Sequence, residues 1–135
     1  MKITKVKYEI EPVLQPHADG HKFKLIDKFR LWINGILLEI PEGFWTDLAS
    51  TGIVSPLNET LKPAITHDYL YYKQELFGKP ISKKDADLIF LIGMKVCKFN
   101  TVKRRLYYWG VKYTFTARKT WNKYKSDRIK NKDGK

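Results

Sequence analysis

The stretch that decides the fold is Ala64-Ile65-Thr66-His67-Asp68-Tyr69-Leu70-Tyr71-Tyr72. Its apolar residues have helical spacing, and in a helix His67 and Tyr71 are four residues apart and share a face. Asp68 lies about 100° round the helix from His67, since an α-helix has roughly 3.6 residues per turn. The acid that orients His67 is therefore expected from another part of the chain.

A second helix supplies a suitable acid. Ser82 with Asp85 three residues later is typical of an N-cap followed by an acidic third position, so a helix is predicted to begin there. Asp87 has apolar neighbours three, four and seven residues on, which are Phe90, Leu91 and Met94. A carboxylate on such a face needs a partner, because burial of an unpaired charge is very costly. We predict two antiparallel helices joined by a His67–Asp87 pair, with Tyr71 near the carboxylate.

The first forty residues are typical of β structure. Two apolar runs, Phe29–Ile33 and Ile36–Ile40, are separated by Asn34-Gly35. Both residues of that dipeptide tolerate a positive φ, so the pattern predicts a tight hairpin. Residues 44–52 follow without a clear period, and small polar residues alternate there with large aromatic ones. They form either a short capped turn or a loop packed against a site.

A third helix is predicted from about Thr101 towards Trp121. Leu106, Trp109 and Tyr113 recur at spacings of three and four, which predicts one buried stripe. The expected fold class is α+β, with a small antiparallel sheet followed by three helices. We expect a single domain over residues 1–121 and a basic flexible tail over residues 122–135, where apolar residues are scarce.

Charge is concentrated at one end of the chain. Residues 103–135 carry 12 Lys and Arg against only Asp127 and Asp133, whereas residues 1–102 carry 14 against 12 acids. A basic segment of this kind is either a solubilising end or a surface for an anionic partner, namely nucleic acid, a membrane surface or an acidic protein. No helix-turn-helix, aromatic RNA-binding motif or zinc motif favours sequence-specific reading of nucleic acid.

Several classes of protein are excluded by simple counts. One cysteine, Cys97, excludes an internal disulfide and every multi-cysteine zinc site. The first residues lack the apolar core of a signal peptide, and no apolar run is long enough to span a bilayer. The sequence therefore predicts a protein made in the cytoplasm.

Three ordered motifs resemble an uncharacterised family of small phage and prophage proteins. They are Phe44-x-Thr46-Asp47-x-Ala49-Ser50, His67-Asp68-x-Leu70-Tyr71 and Ala86-Asp87-x-x-Phe90, within a similarity that covers about residues 23 to 121. The family commonly continues its Ala-Ser with an apolar residue and proline, whereas Thr51-Gly52 follows here. The resemblance implies association with a virion and with other phage proteins.

The two helical motifs also resemble the paired helices of secreted and viral phospholipase A2 domains. By that resemblance His67 is a general base that activates water, Asp87 orients its imidazole, Tyr71 supports Asp87, and Asp68 binds Ca²⁺. The chain lacks the glycine-rich, cysteine-flanked calcium loop of those enzymes and all their disulfides. Backbone carbonyls of residues 44–52 are needed in its place.

The side chains around Asp68 distinguish the two interpretations. In a hydrolase, Asp68 and a second acid, Asp47, would face an open cleft and a cation. In a structural module, protein donors such as the Thr46 or Ser50 hydroxyls would satisfy Asp68 instead. Two hypotheses remain: a structural phage protein whose polar network ties helices together, and a calcium-assisted ester hydrolase.

Overall fold

A computed structural model describes residues 2–9, 11–16, 22–46, 61–113 and 115–133 of the chain. The elements within them confirm an α+β protein, with small antiparallel sheets in the N-terminal half followed by helices. The strands are β1 Val6–Tyr8, β2 Leu14–Pro16, β3 Phe23–Leu25, β4 Phe29–Ile33, β5 Ile36–Ile40, β6 Trp45–Thr46, β7 Glu75–Leu76 and β8 Lys79–Pro80. The helices are α1 Leu61–Lys73, α2 Lys83–Val96, α3 Thr101–Tyr113 and α4 Phe115–Asp133.

The predicted hairpin is confirmed as β4–β5, the centre of a sheet with strand order β1-β4-β5. Asn34 and Gly35 both have positive φ, 53° and 79°. The Asn34 amide also fastens the chain start to the turn: its Oδ1 accepts from the Thr4 amide at 2.9 Å, and its Nδ2 donates to the Lys2 carbonyl at 2.7 Å. Asparagine therefore serves both the turn conformation and a contact with the N-terminal segment.

The core lies between this sheet and the first two helices. Strand β4 alternates buried and half-buried residues, and its inward side chains Phe29, Leu31 and Ile33 are fully buried. They belong to the same apolar cluster as Ile65 and Leu70 of α1. A second sheet of order β2-β3-β6 brings Thr46 beside α1. The sheets thus set the position of the helix that carries His67.

The sequence predicts that the helix carrying His67 ends near Phe77-Gly78, with Gly78 as its C-terminal stop, but α1 ends at Lys73. Gln74 adopts a positive φ of 53°, and its backbone amide donates to the Leu70 carbonyl at 2.8 Å. The buried Gln74 side chain donates to the Trp121 carbonyl at 2.8 Å, which holds this conformation in place. Phe77 and Gly78 instead form the turn of the β7–β8 hairpin, both with positive φ.

The start of α2 is confirmed at the predicted cap. The Ser82 hydroxyl accepts from the Asp85 amide at 3.1 Å, and Asp85 occupies the first turn. Asp87 is therefore in the second turn, with its side chain towards α1. This orientation places it against His67.

The C-terminal part of the chain differs from the prediction. The described region contains four helices rather than three, and a basic flexible tail over residues 122–135 is not shown, because α4 extends to Asp133. Residues 115–133 contain neither glycine nor proline, so nothing in this segment breaks a helix. Trp121 is buried against the core, and the Tyr124 ring meets Tyr72 edge-on at 5.7 Å. These contacts bind the first half of α4 to α1.

The predicted buried stripe of α3 is wrong. Leu106 is 62% exposed and Trp109 is 63% exposed, while Val111 is buried with Phe90 and Met94 of α2. The reason is that α2 packs against the opposite side of α3, which the periodicity of α3 alone does not distinguish. Among the described residues, no helix is both long and apolar enough to cross a membrane.

Candidate functional site

His67 and Asp87 form the predicted pair. The Nε2 atom of His67 lies 2.8 Å from Oδ1 of Asp87, and both side chains are almost completely buried, with 6% and 2% of their surface exposed. The Tyr71 hydroxyl donates to the same Oδ1 at 2.7 Å. The three side chains that the sequence analysis grouped as catalytic are thus in mutual contact, because the four-residue spacing on α1 aims two of them at one carboxylate.

Lys83 completes this network and was missed by the sequence analysis. Its Nζ lies 2.8 Å from Oδ2 of Asp87 and donates to the Val111 carbonyl of α3 at 2.6 Å. Lys83 precedes Asp87 by four residues on α2, and this spacing was a usable signal because such residues share one helix face. The carboxylate therefore has donors on both oxygens, and the network joins α1, α2 and α3.

The hydrogen bonds assign the hydrogen on the imidazole. Asp87 meets Lys83 as a carboxylate, and a carboxylate only accepts hydrogen bonds, so His67 donates through Nε2. In the neutral ring Nδ1 is then the acceptor. The ring itself lies between aromatic neighbours, 4.2 Å from the centre of Tyr71 and 4.8 Å from that of Phe90. The tautomer suits a base, but the ring is enclosed.

The electrostatics of Tyr71 follow from its position. Burial raises the pKa of its hydroxyl above the ordinary value of 10.0, and the charge of Asp87 raises it further. Tyr71 is therefore a neutral hydrogen-bond donor throughout the physiological range. The Lys83 ammonium lies 5.9 Å from the centre of the same ring.

Asp68 faces away from this pair and towards a cleft of about 340 Å³. One wall of the cleft is β6, where the Thr46 hydroxyl donates to Oδ2 of Asp68. Tyr71 also lines the cleft, and α4 contributes Thr120 and Lys123. His67 and Asp87 are not among the lining residues. Both features that distinguished the two hypotheses are thus present: Asp68 has a protein donor and borders an open space.

The described residues do not form a calcium site. Ca²⁺ takes about six to eight oxygen ligands, but no group of three His, Cys, Asp or Glu in the described ranges is arranged to hold a metal. Asp68 offers one carboxylate, which Thr46 already contacts. Asp47 and Ser50, the other predicted contributors to this region, lie outside the described residues. No step of a reaction is therefore assigned to the ion.

Comparison with known proteins identifies a family. Residues 23–111 match the family model described as protein of unknown function DUF1353. The chain belongs to this family. The match includes the hairpin, Thr46, His67, Asp87 and α3 as far as Val111, so the whole buried network lies inside the family domain. Membership confirms the expectation of an uncharacterised family. No curated protein and no solved structure matches the chain.

Proposed function

We propose that the protein is a phage- or prophage-encoded structural module associated with the virion, in which the buried network holds three helices together without catalysis. The observation that carries this proposal is the burial of the His67–Asp87 pair within the network. His67 and Asp87 are nearly inaccessible to solvent and do not line the cleft. A general base has to reach the proton that it removes, directly or through one water.

The pairing of Asp87 with Lys83 supports the same conclusion. In a His–Asp catalytic pair, the carboxylate stabilises the imidazolium that forms when the base takes a proton. Here the Lys83 ammonium already neutralises that carboxylate and also bonds to the Val111 carbonyl. The polar groups thus satisfy one another across α1, α2 and α3, which specifies a single packing of the helices.

The phage assignment is supported by the order of the three motifs, in which Thr46, His67 and Asp87 occupy matching positions. Structural proteins of particles act by forming stable contacts rather than by turnover. We therefore expect other proteins of the same particle as partners. The net charge of +12 further favours contacts with acidic surfaces.

The test combines particle composition with matched variants. Mass spectrometry of purified particles from cells carrying the gene should detect the protein. Variants of the gene are supplied to a phage from which the gene has been deleted. The infectious titre obtained with His67→Gln, Asp87→Asn and Tyr71→Phe should fall as the Tm of the variant falls, because we expect these changes to alter stability alone. Absence of the protein from particles contradicts the virion assignment. A His67→Gln protein with wild-type Tm and no infectivity contradicts the structural role of the network.

A second candidate, an ester hydrolase with calcium as its metal, is favoured by one observation. Asp68 and Tyr71 line the cleft within one turn of His67, as the resemblance to phospholipase A2 domains implies. The test is hydrolysis of a phospholipid and of a small ester by wild type and His67→Gln, together with calcium calorimetry on wild type and Asp68→Asn. Absence of both calcium heat and His67-dependent turnover removes this candidate.

A further inference from the structure

A second apolar side of helix α3 is largely exposed. Val102, Leu106 and Trp109 are 68%, 62% and 63% exposed. Spacings of four and three residues align them in one stripe along the helix, on the side opposite the buried Val111. We define these three side chains as the α3 stripe. Its spacing is that of the apolar seam by which one helix packs against another.

Cations flank the α3 stripe on both sides. In a helix that packs through this seam, Lys103 lies on one side, and Arg105 and Lys112 lie on the other. Lys103 and Arg105 are exposed. The positions beside such a seam decide which helix is accepted as partner, because they face the corresponding positions of the other helix. No acidic residue occurs between Leu88 and Ser126, so the charged side chains of this segment are all basic.

We propose that the α3 stripe binds an amphipathic helix of a protein partner that carries acidic residues beside its apolar seam. The apolar side chains of that helix cover Val102, Leu106 and Trp109. Its carboxylates face Lys103, Arg105 and Lys112, where they form ion pairs at the edge of the contact.

Other occupants fit less well. A second copy of the chain would place cations against cations if the two α3 stripes met, which is unfavourable. Nucleic acid accounts for the cations but not for Val102 and Leu106, since phosphates gain nothing from aliphatic contacts. An anionic lipid surface accepts both groups, but a helix that lies on lipid presents a wide apolar face. The α3 stripe is a single narrow row with Lys103 and Arg105 directly beside it. A helix partner accounts for the spacing as well as for the charges.

The probe is a synthetic helical peptide of about three heptads with leucine at the seam positions and glutamate beside them. Its counterpart has lysine in place of every glutamate. Binding to the full chain is measured by calorimetry, and the contact is located by the indole N–H resonance of Trp109, which Trp109→Phe identifies. We expect the acidic peptide to bind and to shift this resonance, and the lysine peptide not to bind.

Two variants and one matched control test the geometry. Leu106→Gln should raise the Kd of the acidic peptide by about tenfold or more, because it removes the central apolar contact. Lys103→Glu/Arg105→Glu should reverse the preference, so that the lysine peptide binds in its place. Arg118→Glu/Lys119→Glu makes the same change of charge on exposed positions of α4 and should leave the acidic peptide bound. Circular dichroism confirms that each variant is folded.

Four outcomes overturn the proposal. The first is failure of the acidic peptide to bind, and the second is equal weakening by the α4 control, which reduces the effect to net charge. The third is a dimer in sedimentation that Leu106→Gln abolishes. The fourth is tighter, Leu106-dependent binding to duplex DNA or to mixed phosphatidylglycerol and phosphatidylcholine vesicles. Either of those ligands would then be the occupant in place of a protein helix.

Discussion

The ammonium of Lys83 lies 2.8 Å from the carboxylate of Asp87, one turn away on the same helix. This ion pair determines whether the charge of Asp87 is available to His67. Without it, Asp87 would be a buried anion whose charge is available to an imidazolium. With it, the anion is compensated inside its own helix, and the histidine is a further donor in a closed network.

Replacement of Lys83 by methionine should therefore destabilise the fold. The change keeps an unbranched stem of four atoms but removes the ammonium and its bonds to Asp87 and to the Val111 carbonyl. A hydrogen bond to a charged group contributes about 1.5–3 kcal/mol, and we expect a loss of about this size in the free energy of unfolding, measured in urea. Lys84→Met, at the exposed neighbouring position, is the control and should change it by less than about 0.5 kcal/mol. Equal stability of the two variants would show that the pair contributes nothing.

Asp87→Ala should have a larger effect, because it leaves Lys83, His67 and Tyr71 without their common acceptor. Loss of one partner from a buried ion pair costs about 3–5 kcal/mol. Chemical denaturation followed by circular dichroism measures it. Asp127→Ala removes an exposed carboxylate from α4 and should be close to neutral. An unchanged unfolding midpoint for Asp87→Ala contradicts the network.

Tyr71→Phe should lower stability at neutral pH by about 1.5–3 kcal/mol, since the bond to the Asp87 carboxylate is lost. The difference from wild type should shrink at alkaline pH. The pKa of Tyr71 is raised in the folded protein, by burial first and by Asp87 second, whereas the unfolded chain titrates at about its ordinary 10.0. The contribution of the protonated hydroxyl is thus fully present below pH 10 and is lost as the pH rises above it.

The measurement is urea unfolding of wild type and Tyr71→Phe at a series of pH values from 7 upwards through the ordinary tyrosine pKa of 10.0. Other groups titrate in both proteins, so the difference between the two curves isolates Tyr71. A difference that stays constant above pH 10, or that grows, contradicts the raised pKa.

Substitutions at Gly93 and Tyr8 should have non-additive effects on the free energy of unfolding. A Cβ added at Gly93 of α2 would collide with the Tyr8 hydroxyl of β1. That hydroxyl is buried without a hydrogen-bond partner among the described residues. Gly93→Ala should therefore destabilise by about 1–3 kcal/mol despite the better helix propensity of alanine.

Tyr8→Phe alone should change stability by less than about 1 kcal/mol, because it removes a hydroxyl that has no bond to lose. In the Tyr8→Phe/Gly93→Ala double variant, the ring carbon remains 3.4 Å from the added Cβ, an ordinary contact. The double variant should consequently be more stable than Gly93→Ala. A double-mutant cycle in urea measures the coupling, and strictly additive effects contradict the predicted collision.

The division of α4 into an anchored and a dispensable part can be tested by truncation. A chain that ends at Lys125 keeps Trp121 and Tyr124 and should match wild type within about 0.5 kcal/mol. A chain that ends at Lys119 loses the edge-on contact of Trp121 with Tyr71 at 5.1 Å, and also the carbonyl that Gln74 bonds. Removal of a buried tryptophan costs about 3–5 kcal/mol. Equal Tm values for both truncations would show that Trp121 and residues 122–135 contribute nothing to the stability of the fold, as expected of a tail.

The sequence determined the features that depend on neighbouring residues. Asn34-Gly35 predicted its hairpin because two successive positive φ angles restrict the choice of residue. Ser82 and Asp85 predicted the start of α2 because a cap is made within four residues. The His67–Asp87 contact was also predictable, since a carboxylate on an apolar helix face demands a partner and the neighbouring helix offered one.

Only the tertiary structure decided which apolar face of α3 is buried and whether the last residues are helical. Periodicity shows that Leu106 and Trp109 share a face, but burial depends on which side α2 approaches. The last residues likewise lie in a helix, α4, which contacts α1 through Trp121 and Tyr71, more than forty residues apart in the sequence. Local patterns specify the elements of this protein, whereas the free energy that selects among their packings comes from contacts distant in the chain.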